Sequence, residues 1–166
     1  MTDDWASLDA KLEKLGRTAD IIEKDVAPQI CQVMREYAGW ALRAQVYSRP
    51  EGWYKRARNL EQSVIGAQNI VERDGDTMVS IGIETSAEYA KYIEYGTGPN
   101  GSAEYDGHVS EGVTFSNRKS WLFVDDDGEV RIAKSQKARP FMRPALYDNV
   151  DVFKEEIAKG LTGIFS

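Results

Sequence analysis

Apolar residues recur at intervals of three and four along the start of the chain: Trp5, Leu8, Leu12, Leu15, Ala19, Ile22, Val26, Ile30, Val33, Tyr37, Trp40, Ala44 and Tyr47. That spacing places one stripe along one face of a helix. A continuous helix over this span would be roughly 60 Å long at 1.5 Å per residue, longer than a domain of this size is wide. The helical arm over 1–47 therefore has to project, bend or meet a neighbouring subunit. Pro28 removes an intrahelical hydrogen bond and crowds the preceding turn, and the stripe changes phase at the same point. The pattern predicts two helical segments with a kink near 25–28, or a single bent helix. The stripe itself reads as core packing, or as a coiled-coil-like contact between subunits.

Beyond Ser48-Arg49-Pro50-Glu51-Gly52 the period changes. Two candidate strands, 63–71 and 77–84, flank Asp74-Gly75, a strong turn signal, and Val79, Ile81 and Ile83 alternate onto one buried face. Tyr89, Tyr92 and Ile93 then share one side of a short helix, which Gly96 is placed to stop in a left-handed conformation. The stretch 99–112, rich in Gly, Ser, Asn and Asp, reads as a mobile loop. A second hairpin is expected from 120–124 and 129–133 around Asp125-Asp126-Asp127-Gly128. Pro140 and Pro144 frame Phe141 and Met142. Pro144 suits the first turn of a last helix striped by Leu146, Val150, Phe153, Ile157 and Leu161 and frayed by Gly160 and Gly163. The expected architecture is α+β, a single domain over 1–166: a long kinked N-terminal helix and a C-terminal helix packed on a small antiparallel sheet of two hairpins.

Composition narrows the function. With 166 residues, 42% of them hydrophobic, the chain can bury one ordinary core. A net charge of -6 disfavours general affinity for nucleic acid or an anionic membrane, and no run of ~20 apolar residues exists to span one. The acidic start, Met1-Thr2-Asp3-Asp4, is unlike a basic signal peptide, so synthesis in a cytoplasm is expected. Charge is segregated: 104–129 is mostly acidic, whereas Arg131, Lys134, Lys137, Arg139 and Arg143 follow with no acid among them. Such a distribution suits a head-to-tail contact between copies. The basic segments 53–58 and 131–143 also keep open an alternative, a small nucleic-acid-binding module.

Candidate chemistry is sparse. The one histidine, in a loop-like stretch, and the one cysteine, Cys31, in an apolar helical pattern as a packing thiol, are poorly placed for a Ser/His/Asp or Cys/His constellation. Gly96-Thr97-Gly98 lacks the lysine of a phosphate-binding loop, and the acidic run at 125–127 lacks the distal glutamate of a calcium loop. His108 is given no role. No catalytic residue, cofactor or metal is expected, and the chain reads as a non-enzyme.

Two short runs remain, Tyr89-Ala90-Lys91-Tyr92-Ile93-Glu94-Tyr95-Gly96-Thr97 and Ala138-Arg139-Pro140-Phe141-Met142-Arg143-Pro144-Ala145. In order and spacing they resemble the head-tail joining, or tail-completion, family of siphophages, with its "YA-x-Y-x-E-x-GT" and "PF-x-x-PA" patterns, over roughly residues 20 to 160. The usual "P-x-x-T-G-x-L" segment after the first helix is replaced here by Arg49-Pro50-Glu51-Gly52-Trp53. The resemblance implies a virion protein of the head-tail junction. Copies would form a ring, often six-fold, touching connector or adaptor and tail tube or tail terminator proteins. There would be no membrane partner, and DNA would meet the protein only in passing through the lumen. Glu94 is expected to pair with Arg139 or Arg143, making the two runs one docking corner. Tyr89, Tyr92 and Phe141 would be buried in it, with Gly96, Thr97 and Arg143 near an assembly surface.

Overall fold

The computed structural model describes residues 13–14, 16–49, 58–73, 76–124 and 127–165. The start of the apolar stripe, Trp5 to Leu12, and most of the basic segment 53–58 lie outside them. Residues 16–21 are helical and run into a π-helical segment, Ile22–Val26, then α1 (Ala27–Leu42) and a second π segment, Arg43–Tyr47. Pro28 occupies the second position of α1. Val26 and Ala27 keep right-handed helical dihedrals, so the helix continues through the proline. The departure from α geometry expected near 25–28 falls just upstream, where a wider π turn accommodates a residue that cannot donate to the ladder.

The buried face of this helix differs from the predicted stripe. Val26, Ile30, Met34, Ala38, Leu42 and Val46 are buried, whereas Trp40 is 55% exposed and Ala44 is exposed. Steps of four residues rotate roughly 40° on an α-helix. The stripe therefore drifts around the helix and serves two clusters. Val26, Ile30 and Met34 pack with Phe153; Ala38, Leu42 and Val46 pack with Leu60, Val64, Phe141 and Ala145.

A short helix, α2 (Asn59–Ser63), leads into β1 (Val64–Arg73), which pairs antiparallel with β2 (Asp76–Thr85) from Val64 opposite Thr85 to Arg73 opposite Asp76. Ile81 and Ile83 pack against the cluster of Val26, Ile30, Met34 and Phe153, and Val79, the third residue expected on that face, is half-buried. The expected turn residues, Asp74 and Gly75, lie outside the described residues. Next comes α3 (Ala90–Glu94), and then the stretch expected to be a loop contains a 3-10 turn and a small ribbon, β3 (Glu104–Tyr105) with β4 (His108–Val109). Asp106 and Gly107 both have positive φ, at 46° and 77°, the geometry of a two-residue hairpin turn. The ribbon is pinned to the body: the Tyr105 hydroxyl donates to Asp148 at 2.7 Å, and His108 stacks on Tyr147 with ring centroids 3.9 Å apart.

The second large hairpin pairs β5 (Ser120–Val124) with β6 (Val130–Lys134), one residue later than predicted on its second strand. The predicted last helix divides into α4 (Met142–Tyr147) and α5 (Val150–Phe165). Asn149, buried between them, donates to the carbonyls of Pro144 and Ala145 at 3.2 Å each and so satisfies the end of α4. Only part of the predicted C-terminal stripe turns inward: Phe153 is buried, while Leu146, Val150 and Ile157 are exposed. Gly160 does not fray the helix. It is where α5 crosses the Ile22–Val26 segment, and a Cβ there would sit 2.3 Å from a methyl of Val26.

Candidate functional site at the Glu94 corner

The last residue of α3 is a glutamate that is 2% exposed. A carboxylate so buried needs several donors to replace water, and α4 supplies them. One oxygen, Oε2, accepts from the backbone N–H groups of Phe141 at 2.6 Å and Met142 at 2.9 Å. The other, Oε1, accepts from the Arg143 backbone N–H at 3.1 Å and from its Nε at 2.8 Å. Glu94 thus caps the start of α4 from 47–49 residues away, filling orphan donors that no side chain of α4 itself caps.

Arg143, at 5% exposure, closes the arrangement by donating from Nη2 to the Glu94 carbonyl at 2.7 Å. Its guanidinium carbon lies 4.7 Å from the centroid of the Tyr95 ring and 5.8 Å from that of Tyr105. Nη1 has no hydrogen-bond partner. The aromatic faces give that part of the cation an electrostatic partner instead.

A seam of backbone contacts extends the corner. The Arg139 N–H donates to the Ile93 carbonyl at 2.8 Å, and Thr97 receives Gln136 on its hydroxyl at 2.9 Å while donating its own N–H to the Gln136 carbonyl at 2.8 Å. Gly96 has φ 73° and lies so close to the second run that a Cβ would sit 2.5 Å from the Gln136 carbonyl oxygen and the Ala138 nitrogen. Glycine is therefore required there both for its dihedral and for the backbone approach. Phe141, fully buried, and Ala145 fix the seam to α1. Pro140 and Pro144 are half-buried on either side.

The structure joins the two runs as expected and pairs Glu94 with Arg143. It also reverses several details. Tyr89 and Tyr92 are 46% and 53% exposed; α3 turns Ala90, Ile93 and Glu94 inward instead, because its i, i+4 pair of small residue and capped carboxylate seats against α4. Arg143 and Gly96 are buried rather than at an assembly surface. The basic run 131–143 is largely occupied internally: Arg143 is in the lock, Arg131 meets Glu129 at 2.9 Å, and Arg139 is half-buried. A contact between that run and an acidic segment of the next copy loses its main cations.

Sequence reasoning missed Tyr95, Tyr105 and Asn149, whose roles depend on where the ribbon and the α4–α5 junction fall. It also missed the open cleft of about 730 Å³ in which exposed Tyr89 and Tyr92 meet Trp121, Phe123, Tyr47 and Arg58. Cys31 is half-buried, and burial raises its thiol pKa. Burial, helped by the bond to Asp148, pushes Tyr105 up to about 12. Among the described residues no group of three or more His, Cys, Asp or Glu side chains is arranged to hold a metal, and no helix is long and apolar enough to cross a membrane. Both Glu94 oxygens, and Nε and Nη2 of Arg143, are engaged within this corner, which suits a structural joint.

Comparison with known proteins gives one family. Residues 6–96 match the family model HK97-gp10_like, described as "Bacteriophage HK97-gp10, putative tail-component". The matched span covers the long helix, the β1–β2 hairpin and the first run through Gly96; the second run lies beyond it. No curated protein and no solved structure matches the chain. Because the match covers more than half of its residues, the chain belongs to the HK97 gp10-like family of bacteriophage tail components.

Proposed function

We propose that this tail component is a neck subunit that completes the tail and joins it to the head connector, acting as a ring of identical copies. Family membership supports a structural role in the virion. The observation that carries the finer reading is the Glu94 corner, where two runs 47–49 residues apart are fastened by buried charge-assisted hydrogen bonds. A joint of this kind holds the α1 arm and the β5–β6 ribbon at a fixed angle, which a subunit transmitting load between head and tail requires. The alternative, a nucleic-acid module using 53–58 and 131–143, needs exposed cations; the run 131–143 keeps only Lys134 and Lys137 fully exposed, Arg58 is exposed, and 53–57 lie outside the described residues.

The direct test is an amber mutation in this gene in its phage or induced prophage. Electron microscopy of the lysate should show DNA-filled heads beside full-length, unattached tails. Complete virions, or heads with no tails assembled anywhere, would overturn the junction role. Purified protein should also show concentration-dependent association in sedimentation, and a monomer at every concentration would remove the ring.

A further inference from the structure

The small β3–β4 ribbon lies over the outside of the Glu94 corner. At its near end the Ser102 N–H donates to the Tyr95 carbonyl at 2.8 Å, and Gly101 packs so closely on Phe115 that a Cβ would sit 2.2 Å from the ring. Within the ribbon Glu104 faces Val109, Tyr105 faces His108, and the Ser110 N–H closes the hairpin on the Ala103 carbonyl at 3.0 Å. Residues 102–110 therefore form a strap with hydrogen bonds of its own, which can move as one piece. Among the described residues, none from 102 to 110 belongs to either hydrophobic cluster. Lifting the strap leaves both clusters intact, the mark of a segment that opens locally.

Its grip on the body comes from one cross-strand pair. Tyr105 and His108 stand directly opposite each other and take hold of consecutive residues at the end of α4: the Tyr105 hydroxyl donates to Asp148, and the His108 ring lies 3° from parallel on Tyr147. His108 is exposed and Tyr105 half-buried, so both contacts sit at the edge of water. The group beneath is of the opposite kind. Arg143 is buried, and the strap supplies two of its neighbours, the Tyr105 ring 5.8 Å from the guanidinium carbon and the Ser102 carbonyl 3.5 Å from Nη2. Nη1 has no hydrogen-bond partner, and a buried donor in that state is stabilised by water. A lightly held cover thus lies over a cation that hydration favours.

We propose that the 102–110 strap is a latch on the Glu94 corner: it opens as a local unit while the core stays folded, and opening admits water to the Glu94–Arg143 pair. With the strap closed, Tyr105 and Ser102 keep the pair dry and α4 is held against α3. With the strap open, Glu94 and Arg143 exchange partners with water, and α4 is free to shift on α3. The corner is adjustable in the open state and fixed in the closed one. Strap opening is a property of one chain and is independent of ring formation.

Hydrogen exchange of the full-length protein, followed by NMR at low, sub-denaturing concentrations of urea, tests the latch with three reporters. The Ser102 amide reports the strap, the Arg143 Nε–H, bonded to Glu94 at 2.8 Å, reports the ion pair, and the Leu42 amide in α1 reports the core. The first two should exchange through one common opening, faster than Leu42 and with little dependence on urea, because little surface is exposed. Combining Tyr105→Phe with His108→Ala should speed both by roughly tenfold or more, the loss of one hydrogen bond and one ring contact. An Nε–H that exchanges only together with Leu42 in the wild-type protein would show that the pair opens only with the whole fold, and the latch is wrong. Acceleration of Ser102 without acceleration of the Nε–H would mean that the strap lifts without admitting water, and no acceleration of either would place the grip elsewhere; each overturns the latch. Should the double variant fail to fold, the wild-type comparison of the Nε–H with Leu42 decides alone.

Discussion

The Glu94 corner and the β5–β6 ribbon invert the usual rule of burial. In the corner a full ion pair is buried to 3% and 6% side-chain exposure; on the ribbon four aliphatic residues stand about two-thirds in water. Each is costly by itself. Burying charge requires every lone pair and proton to be matched, and the corner meets nearly all of that demand within one chain. Exposed apolar surface requires cover, and the ribbon's outer face finds none among the described residues. The contrast separates a costly burial that the fold satisfies from an apolar face that the described residues leave in water.

The corner should carry stability and the ribbon should not. Glu94→Gln leaves Arg143 as a buried cation with a neutral partner and replaces one of the two accepting oxygens with an NH2 that cannot accept from the start of α4, so it should cost about 3–5 kcal/mol in chemical denaturation. Adding Arg143→Met should cost less than a second penalty of that size, because the isolated charge is gone; strict additivity would show that the two act separately. Phe141→Ala empties a fully buried site and should also cost about 3–5 kcal/mol. A Phe141→Ala protein that folded and assembled normally would refute the joint.

Gly96→Ala forces a side chain into a left-handed dihedral and against the Gln136 carbonyl. A loss of about 2 kcal/mol is expected, with strain at one non-glycine residue as the floor. By contrast, Leu122→Ser should change unfolding stability by no more than about 0.5 kcal/mol, as at exposed sites generally. A large stability loss there would mean that the ribbon is covered within the monomer.

The smallest effect concerns pH. Tyr105 is raised from 10.0 to about 12, so the folded chain keeps the phenol proton where the unfolded chain has lost it. Its contribution is fully present below pH 10 and declines as pH rises toward about 12. The stability difference between wild type and Tyr105→Phe should shrink across that window, and a difference independent of pH would show that burial and the bond to Asp148 do not hold the phenol above its ordinary value.

Much of the fold was legible in the order of patterns along the chain. The β1–β2 hairpin was placed to within two residues by its alternation and its Asp-Gly turn. Gly96 announced its left-handed φ by following a short apolar helix. Glu94 is the one acid of the first run and Arg139 and Arg143 are the charges of the second, which made their pairing readable. Local sequence determines such features because dihedral preference, periodicity and charge act within a few residues.

What tertiary structure alone decided is which side of each element faces inward. The expected α1 stripe ran through Ile30, Val33, Tyr37, Trp40 and Ala44, and packing against both α4 and α5 buried instead a set stepping by four, which expelled Trp40. Tyr89 and Tyr92 lost the inner face of α3 to Ala90 and Glu94, because a capped carboxylate is a better partner for the start of α4 than an aromatic ring. The small ribbon at 104–109 depends on Asp148 and Tyr147, which arrive some 40 residues later. Periodicity records that a face is apolar; only the assembled neighbours decide whether that face meets the chain's own core or is left open, as on the ribbon.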